Sequence, residues 1–199
     1  MTRLISLLTI LAATAGLASA QTSEANSFMS GLLHPVLGFD HLVAMVAVGL
    51  LSVQMTKPGN RSAVWIVPAT FVAVLMVGGL IGLGGITLPF DKEIIIALSV
   101  MLLGGAIVSQ ARLPLIIGMI AVSIFALYHG YAHGQEFKYN SEFGFFAGFM
   151  IASAVMHLIG VVIGELGRIF PNPGHARAIM GAVMMGVGVH ITLIKLNLV

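Results

Sequence analysis

Two groups of histidine and carboxylate side chains stand out against an otherwise apolar chain. The first group, in the stretch HPVLGFDH, contains His34, Asp40 and His41. An ionised group at the centre of a bilayer costs at least about 2.5–3.5 kcal/mol, so an aspartate in an apolar segment normally faces a partner or a wet cavity. As one continuous helix starting at Pro35, with His34 at its cap, the segment places both imidazoles on nearly the same face, two turns apart. This spacing predicts a polar face that could bind a ligand.

The second group lies in the stretch HGYAHGQE and contains His129, His133 and Glu136. The two imidazoles are four residues apart and the carboxylate follows three residues later, so one helical stripe could present all three. This holds if the helix continues past Gly134. If the helix ends there, Glu136 lies in a loop that could still fold back.

Together the two groups offer four imidazoles and two carboxylates. Such a donor set could fill a four- to six-coordinate shell and suits nickel, cobalt or zinc. The chain has no cysteine, which excludes a thiolate site, while its 12 methionines leave a Cu(I) site as an alternative. The pattern therefore predicts a divalent transition metal as a bound or transported ion, and it indicates no prosthetic group.

Other polar residues in the apolar segments have a structural interpretation first. His157 and His190 are each expected to hydrogen-bond to a neighbouring helix, as lone histidines in membrane helices do. His175 is expected in a solvated loop, and Glu165 is expected to pair with Arg168 or to have a role in metal exit.

Composition predicts an all-α polytopic membrane protein. Of the 199 residues, 58% are hydrophobic and 8% are charged, against roughly 25% charged in soluble domains. The 24 glycines predict close helix–helix contacts. The net charge of +2 rests on few ionised groups, so nucleic-acid binding is not expected. The six long apolar segments, each expected to span the bilayer, lie near residues 34–55, 62–83, 93–110, 113–132, 143–166 and 176–196.

The beginning of the chain has the three parts of a secretory signal peptide. Arg3 is followed by the apolar run 4–17 and by Ala18-Ser19-Ala20, so cleavage is expected after Ala20. Residues 21–199 are then expected to form one membrane domain of six transmembrane helices. An uncleaved first helix is the alternative, although the apolar run is shorter than the roughly 20 residues that a span needs.

Charge placement predicts the orientation in the bacterial inner membrane. Cleavage leaves the new N-terminus in the periplasm, and six spans return the C-terminus to the same side. In this topology the connections that carry Lys57, Arg61, Arg112, Arg168 and Arg177 are cytoplasmic, whereas Lys92, Lys138 and Lys195 are periplasmic. The first span then starts outside and the fourth ends outside, so the two histidine groups are expected to meet in the outer half of the membrane.

The chain resembles the HupE/UreJ family of nickel or cobalt permeases. The resemblance is carried by the stretch from His34 to Gly49, HPVLGFDHLVAMVAVG, and by the second histidine group, and it extends over nearly the whole chain. It implies a signal peptide followed by six spans and a functional link to hydrogenase or urease maturation. It also implies that the metal path includes His34, Asp40, His41, His129, His133, Glu136 and, in addition, His157.

Transport by a secondary permease or facilitator is the leading hypothesis, since the sequence has no P-loop or other ATPase motif. An intramembrane zinc-dependent hydrolase, holding a catalytic zinc with the same ligands, is the alternative enzyme. A metal-sensing or accessory membrane protein is a third reading. Ligand types alone leave open which metal is carried, how transport is energised and in what oligomeric state the chain acts.

Overall fold

A computed structural model describes residues 28–137 and 143–199, and every regular element in these residues is a helix. The signal peptide expected at residues 1–20, together with Lys138, lies outside the described residues. The helices are α1 (Phe28–Leu37), α2 (Phe39–Gln54), α3 (Ala63–Leu83), α4 (Lys92–Val108), α5 (Leu115–Phe137), α6 (Phe143–Leu166) and α7 (Pro173–Lys195), with a short 3-10 helix (Gly167–Ile169) after α6.

The prediction of one continuous helix over residues 34–55 is wrong. The segment consists of α1 and α2, which meet at an angle of 81°. Gly38 separates them with an extended backbone (φ −78°, ψ 103°), and Pro35 lies inside α1, so His34 is not a helix cap. A Cβ atom on Gly38 would lie 3.1 Å from Nδ1 of His41, so glycine leaves room for the imidazole beside the bend.

Among the described residues, four helices are long and apolar enough to cross a membrane, α3, α5, α6 and α7, and the bent pair α1 and α2 could form a fifth span. The 17 residues of α4 extend only about 26 Å, slightly less than a hydrocarbon core of roughly 30 Å. Large apolar side chains cover the outside of the bundle; Trp65 is 66% exposed and Ile116 65%. The all-α membrane architecture is confirmed, and the count of six spans stays a prediction.

Glycines mediate the main helix contacts, as the composition predicted. α3 packs against α5, α4 against α7, and α6 against both α1 and α2. A Cβ atom added at any of several glycines would overlap the backbone of the partner helix, so these helices approach as closely as backbones can. These glycines are Gly78 and Gly130 between α3 and α5, Gly104 and Gly188 between α4 and α7, and Gly49 and Gly160 between α2 and α6.

The bundle has two chemically different ends. At one end the α1–α2 bend lies beside the last turns of α5, which bring both histidine groups together; we call it the histidine end. At the opposite end, the connections α2–α3, α4–α5 and α6–α7 surround a cavity lined by cations, and we call it the basic end. The central helix α2 runs between the ends and is buried almost throughout, from Ala44 to Gln54.

Candidate metal site

The two histidine groups meet at the histidine end of the bundle, as the predicted topology required. Nε2 of His41, in the first turn of α2, lies 2.8 Å from Nε2 of His133, near the end of α5. Two cis ligands at 90° around a metal, each about 2.0–2.1 Å from it, would be about 2.9 Å apart. The imidazole pair therefore already has a separation that a shared metal ion could bridge.

The second histidine group forms a continuous helical stripe. Helix α5 continues through Gly134 to Phe137, so the alternative of a loop at Glu136 does not apply. Nδ1 of His133 lies 3.1 Å from Oε2 of Glu136, three residues further along. The imidazole is 2% exposed and the carboxylate 55%, so Glu136 connects the buried histidine to solvent.

Hydrogen bonds at the far side of each ring determine what the paired nitrogens can do. Nδ1 of His41 lies 2.8 Å from Oδ1 of Asp40, and Nδ1 of His133 faces Glu136. An ionised carboxylate only accepts hydrogen bonds, so each Nδ1 carries the hydrogen and a neutral ring then has its lone pair on Nε2. Two lone pairs 2.8 Å apart repel each other unless a cation lies between them. The pair is thus suited to a shared proton or to a metal ion.

A third imidazole reaches the same place from α1. The ring centroid of His34 lies 4.6 Å from that of His133 and 6.0 Å from that of His41. Ligand atoms of His34, His133 and Glu136 lie within 4.8 Å of one another. The bend at Gly38, which the sequence did not predict, therefore brings His34 towards the site from a separate helix.

Two further histidines lie deeper in the bundle and have unused ring nitrogens. Nδ1 of His129 donates to the carbonyl of Phe125 (2.9 Å), and Nδ1 of His157 donates across helices to the carbonyl of Met45 (2.8 Å). Both Nε2 atoms are buried and have no hydrogen-bond partner among the described residues. The interhelical bond expected for His157 is present, and it leaves a lone pair directed into the bundle.

The ring of Phe71 contacts both of these histidines. Its ring centroid is 4.8 Å from that of His157 and 5.8 Å from that of His129, and it is completely buried. The ring of His129 is in turn 5.2 Å from that of His41. The imidazoles therefore form a series from the surface inwards, and the ring of Phe71 contacts the last two.

Sequence reasoning missed the aromatic side chains of the site. Phe71 belongs to α3, which carries no metal-ligating motif, and Phe149 of α6 lies with its ring 4.2 Å from that of His133. A phenylalanine in an apolar helix is indistinguishable from a lipid-facing or core residue in the sequence. The only signal for the bend was the sequence Pro35-x-x-Gly38, which breaks helices in many other contexts.

The remaining polar residues lie outside this series. Glu165 is at the basic end, where its carboxylate pairs with Arg61 (2.6 Å) and, as expected, with Arg168 (3.5 Å). His175 is exposed in the first turn of α7 rather than in a loop, and His190 is exposed further along α7. Neither histidine belongs to the site.

Fold and site together define a polytopic α-helical membrane protein with several buried imidazoles between its helices. Residues 7–191 match the family model described as HupE / UreJ protein. The chain is also 37% identical over 169 residues to Protein HupE of Rhizobium leguminosarum bv. viciae, a match that covers 81% of this chain and 86% of that protein. The chain belongs to the HupE/UreJ family. No solved structure matches it.

Proposed function

We propose that the protein is a secondary permease for a divalent transition metal, nickel or cobalt, in the bacterial inner membrane. Its membrane architecture and its family membership support transport as the general role. The metal ion is the cargo, and no resident prosthetic group is part of the proposal. We also propose a functional link to hydrogenase or urease maturation, which membership of the HupE/UreJ family supports.

The observation that carries the proposal is the pair His41 and His133. Their Nε2 atoms face each other at 2.8 Å while a carboxylate faces each Nδ1. Carboxylates in this position fix the tautomer and orientation of metal-binding imidazoles and raise their basicity. Asp40 and Glu136 would thus orient the two ligands, and either carboxylate could also bind the ion during its passage.

The burial gradient suggests the order in which residues would handle the ion. Glu136 is the most exposed member, His34 and His41 are partly buried, and His133, His129 and His157 are buried. An ion captured at the surface would pass from the His41–His133 pair to Nε2 of His129 and then, past Phe71, to Nε2 of His157. Imidazole and carboxylate donors bind such ions without the irreversible affinity that thiolates would give.

The phenyl ring of Phe71 would act as the barrier between the outer and inner parts of this path. A secondary permease must prevent the path from being open to both sides at once. A rotamer change or a small helix displacement at Phe71 would connect the two buried histidines. No acidic or amide side chain among the described residues hydrogen-bonds to Nε2 of His129 or to Nε2 of His157.

The direct test is isotope uptake by the purified full-length protein in proteoliposomes. Radioactive nickel and cobalt should accumulate in the lumen in amounts that exceed the number of protein molecules, with competition between the two ions. His190→Ala is the matched control, because His190 is an exposed histidine outside the site. Metal retained only in proportion to protein would contradict the proposal and indicate a binding or sensing protein.

The alternative of an intramembrane zinc-dependent hydrolase uses the same ligands but receives no support from the family match. Such a hydrolase would need a zinc ion with one coordination position occupied by water. The uptake assay separates the two functions, because a hydrolase would not transport metal into vesicles.

A further inference from the structure

A cavity at the basic end collects cations from three separate connections. It has a volume of about 500 Å³, and its lining includes Gln54 from the end of α2 and Gln110 after α4. The charged residues of the lining are all cationic: Lys57, Arg61, Arg112, Arg168 and Arg177.

Only part of this positive charge is neutralised within the described residues. Glu165 pairs with both Arg61 and Arg168, and no ion pair there joins Lys57, Arg112 or Arg177 to a carboxylate. Five cations and one carboxylate leave a net charge of four positive units around the cavity. Such a concentration of like charge is unfavourable unless an anion compensates it.

Arg177 provides a second, independent observation. Its Nε atom is buried and has no hydrogen-bond partner among the described residues. A buried, unsatisfied donor on a charged group is costly. Arg177 lies in the second turn of α7, whose N-cap Asn172 makes no side-chain capping bond. Gly174, in the first turn, packs against Gln110 of the cavity lining, so the partial positive charge of the helix start lies near the cavity.

The tendency of basic residues to be cytoplasmic explains only part of this arrangement. It accounts for the side of the membrane on which these residues lie. It does not require that residues of three connections line one cavity, or that an arginine donor be buried without a partner. Both features are expected of a site for an anion with several acceptor oxygens.

We propose that this cavity binds a phosphate-bearing anion at the basic end of the protein. Guanidinium groups match phosphate oxygens in geometry and in charge. The cavity lies where α2 and α4 end, and basic pockets between membrane helices bind the headgroups of anionic lipids. An anionic phospholipid and a soluble phosphate share this chemistry, and the site is distinct from the histidine path.

The test uses the full-length protein in a neutral detergent. Thermal unfolding would be followed with phosphatidylglycerol, with phosphatidylcholine as the zwitterionic control, and with inorganic pyrophosphate. We expect a rise in the midpoint with phosphatidylglycerol that phosphatidylcholine does not give, because a ligand that binds the folded state stabilises it. A midpoint raised by pyrophosphate, with competition against the lipid, would assign the site to a soluble phosphate instead.

Variants connect the response to the cavity. Arg177→Gln and Arg112→Gln should each weaken anion binding by about tenfold or more. Arg112 is exposed in the α4–α5 connection, so Arg112→Gln should fold normally. This variant therefore tests the site even if Arg177→Gln does not fold. Lys195→Gln is the control, since it removes one positive charge at the histidine end. The proposal would be overturned if both lipids raised the unfolding midpoint equally and pyrophosphate did not raise it. It would also be overturned if Arg177→Gln, Arg112→Gln and Lys195→Gln changed anion binding equally.

Discussion

The histidine end and the basic end place polar groups in the same apolar bundle in different ways. At the histidine end, rigid rings are held by single hydrogen bonds, such as that between His41 and Asp40, and present lone pairs to one another. At the basic end, long flexible cations surround an open cavity, and only Arg61 and Arg168 have a carboxylate partner in the described residues. The histidine end thus depends on the position of individual atoms, whereas the basic end depends on summed charge.

This difference predicts steep effects of substitution at one end and graded effects at the other. A ligand atom displaced by 1 Å no longer binds a metal, because coordination distances vary by only about 0.2 Å. A cation displaced by 1 Å changes the potential of a wide cavity little.

His133→Ala and His41→Ala should each lower nickel affinity by about 100-fold or more, because each removes one of the two facing ligands. Titration calorimetry in detergent measures this directly. Arg112→Gln, at the basic end, should leave nickel affinity near the wild-type value. Equal losses in the histidine and arginine variants would remove the distinction between the ends.

Asp40→Asn should lower nickel affinity by about 10- to 100-fold, the range observed for residues that orient a ligand. The amide no longer fixes the hydrogen of His41 on Nδ1. Glu165→Gln is the matched substitution at the basic end; it breaks two ion pairs of a kind worth about 0–1 kcal/mol and should hardly change metal binding or uptake. Unchanged affinity in Asp40→Asn would exclude Asp40 from the site.

Metal binding should release up to about one proton for each ion at a pH low enough for imidazole to be protonated, because a metal and a proton compete for the facing Nε2 atoms. Free imidazole titrates near pH 6.5, so protons and metal compete, and affinity should fall by up to about tenfold for each pH unit below that region. Calorimetry in buffers of different ionisation enthalpy counts the protons. The absence of any release would mean that another pair of ligands binds the ion.

Gly130→Ala should destabilise the protein by about 1–3 kcal/mol, because the added Cβ atom would overlap the carbonyl of Leu75 and push α5 away from α3. Gly186→Ala is the control, since no atom lies within 4 Å of its added Cβ, and it should be neutral or slightly stabilising. Denaturant unfolding in detergent compares the two. Equal stability would show that the α3–α5 contact adapts easily.

The sequence predicted the histidine site better than the helix that carries its first half. His41, His129 and His133 could be placed because topology and a four-residue spacing determine which groups can meet. The bend at Gly38 could not be predicted, since the apolar pattern on both sides of it fits one long helix. The expected partners of His34 are nevertheless correct, because the bent α1 brings its ring towards His133.

The sequence predicted where the basic residues of the cavity lie, but it did not predict the cavity itself. The positive-inside tendency predicts that Arg112 and Arg177 lie at the same end of the bundle, where both line the cavity. Their convergence on one cavity depends on how the connections α2–α3, α4–α5 and α6–α7 fold over the ends of the helices. Likewise, the sequence gives no sign that Phe71 contacts two histidines, since only packing determines this.

X-ray absorption spectroscopy of the nickel-loaded protein tests the central claim most directly, because it reports the atoms that surround the metal. We expect the scattering of at least two imidazole rings, reduced in His133→Ala and in His41→Ala and unchanged in His190→Ala. A shell of oxygen atoms alone, or an imidazole signal that is the same in all three variants, would contradict a metal site formed by His41 and His133.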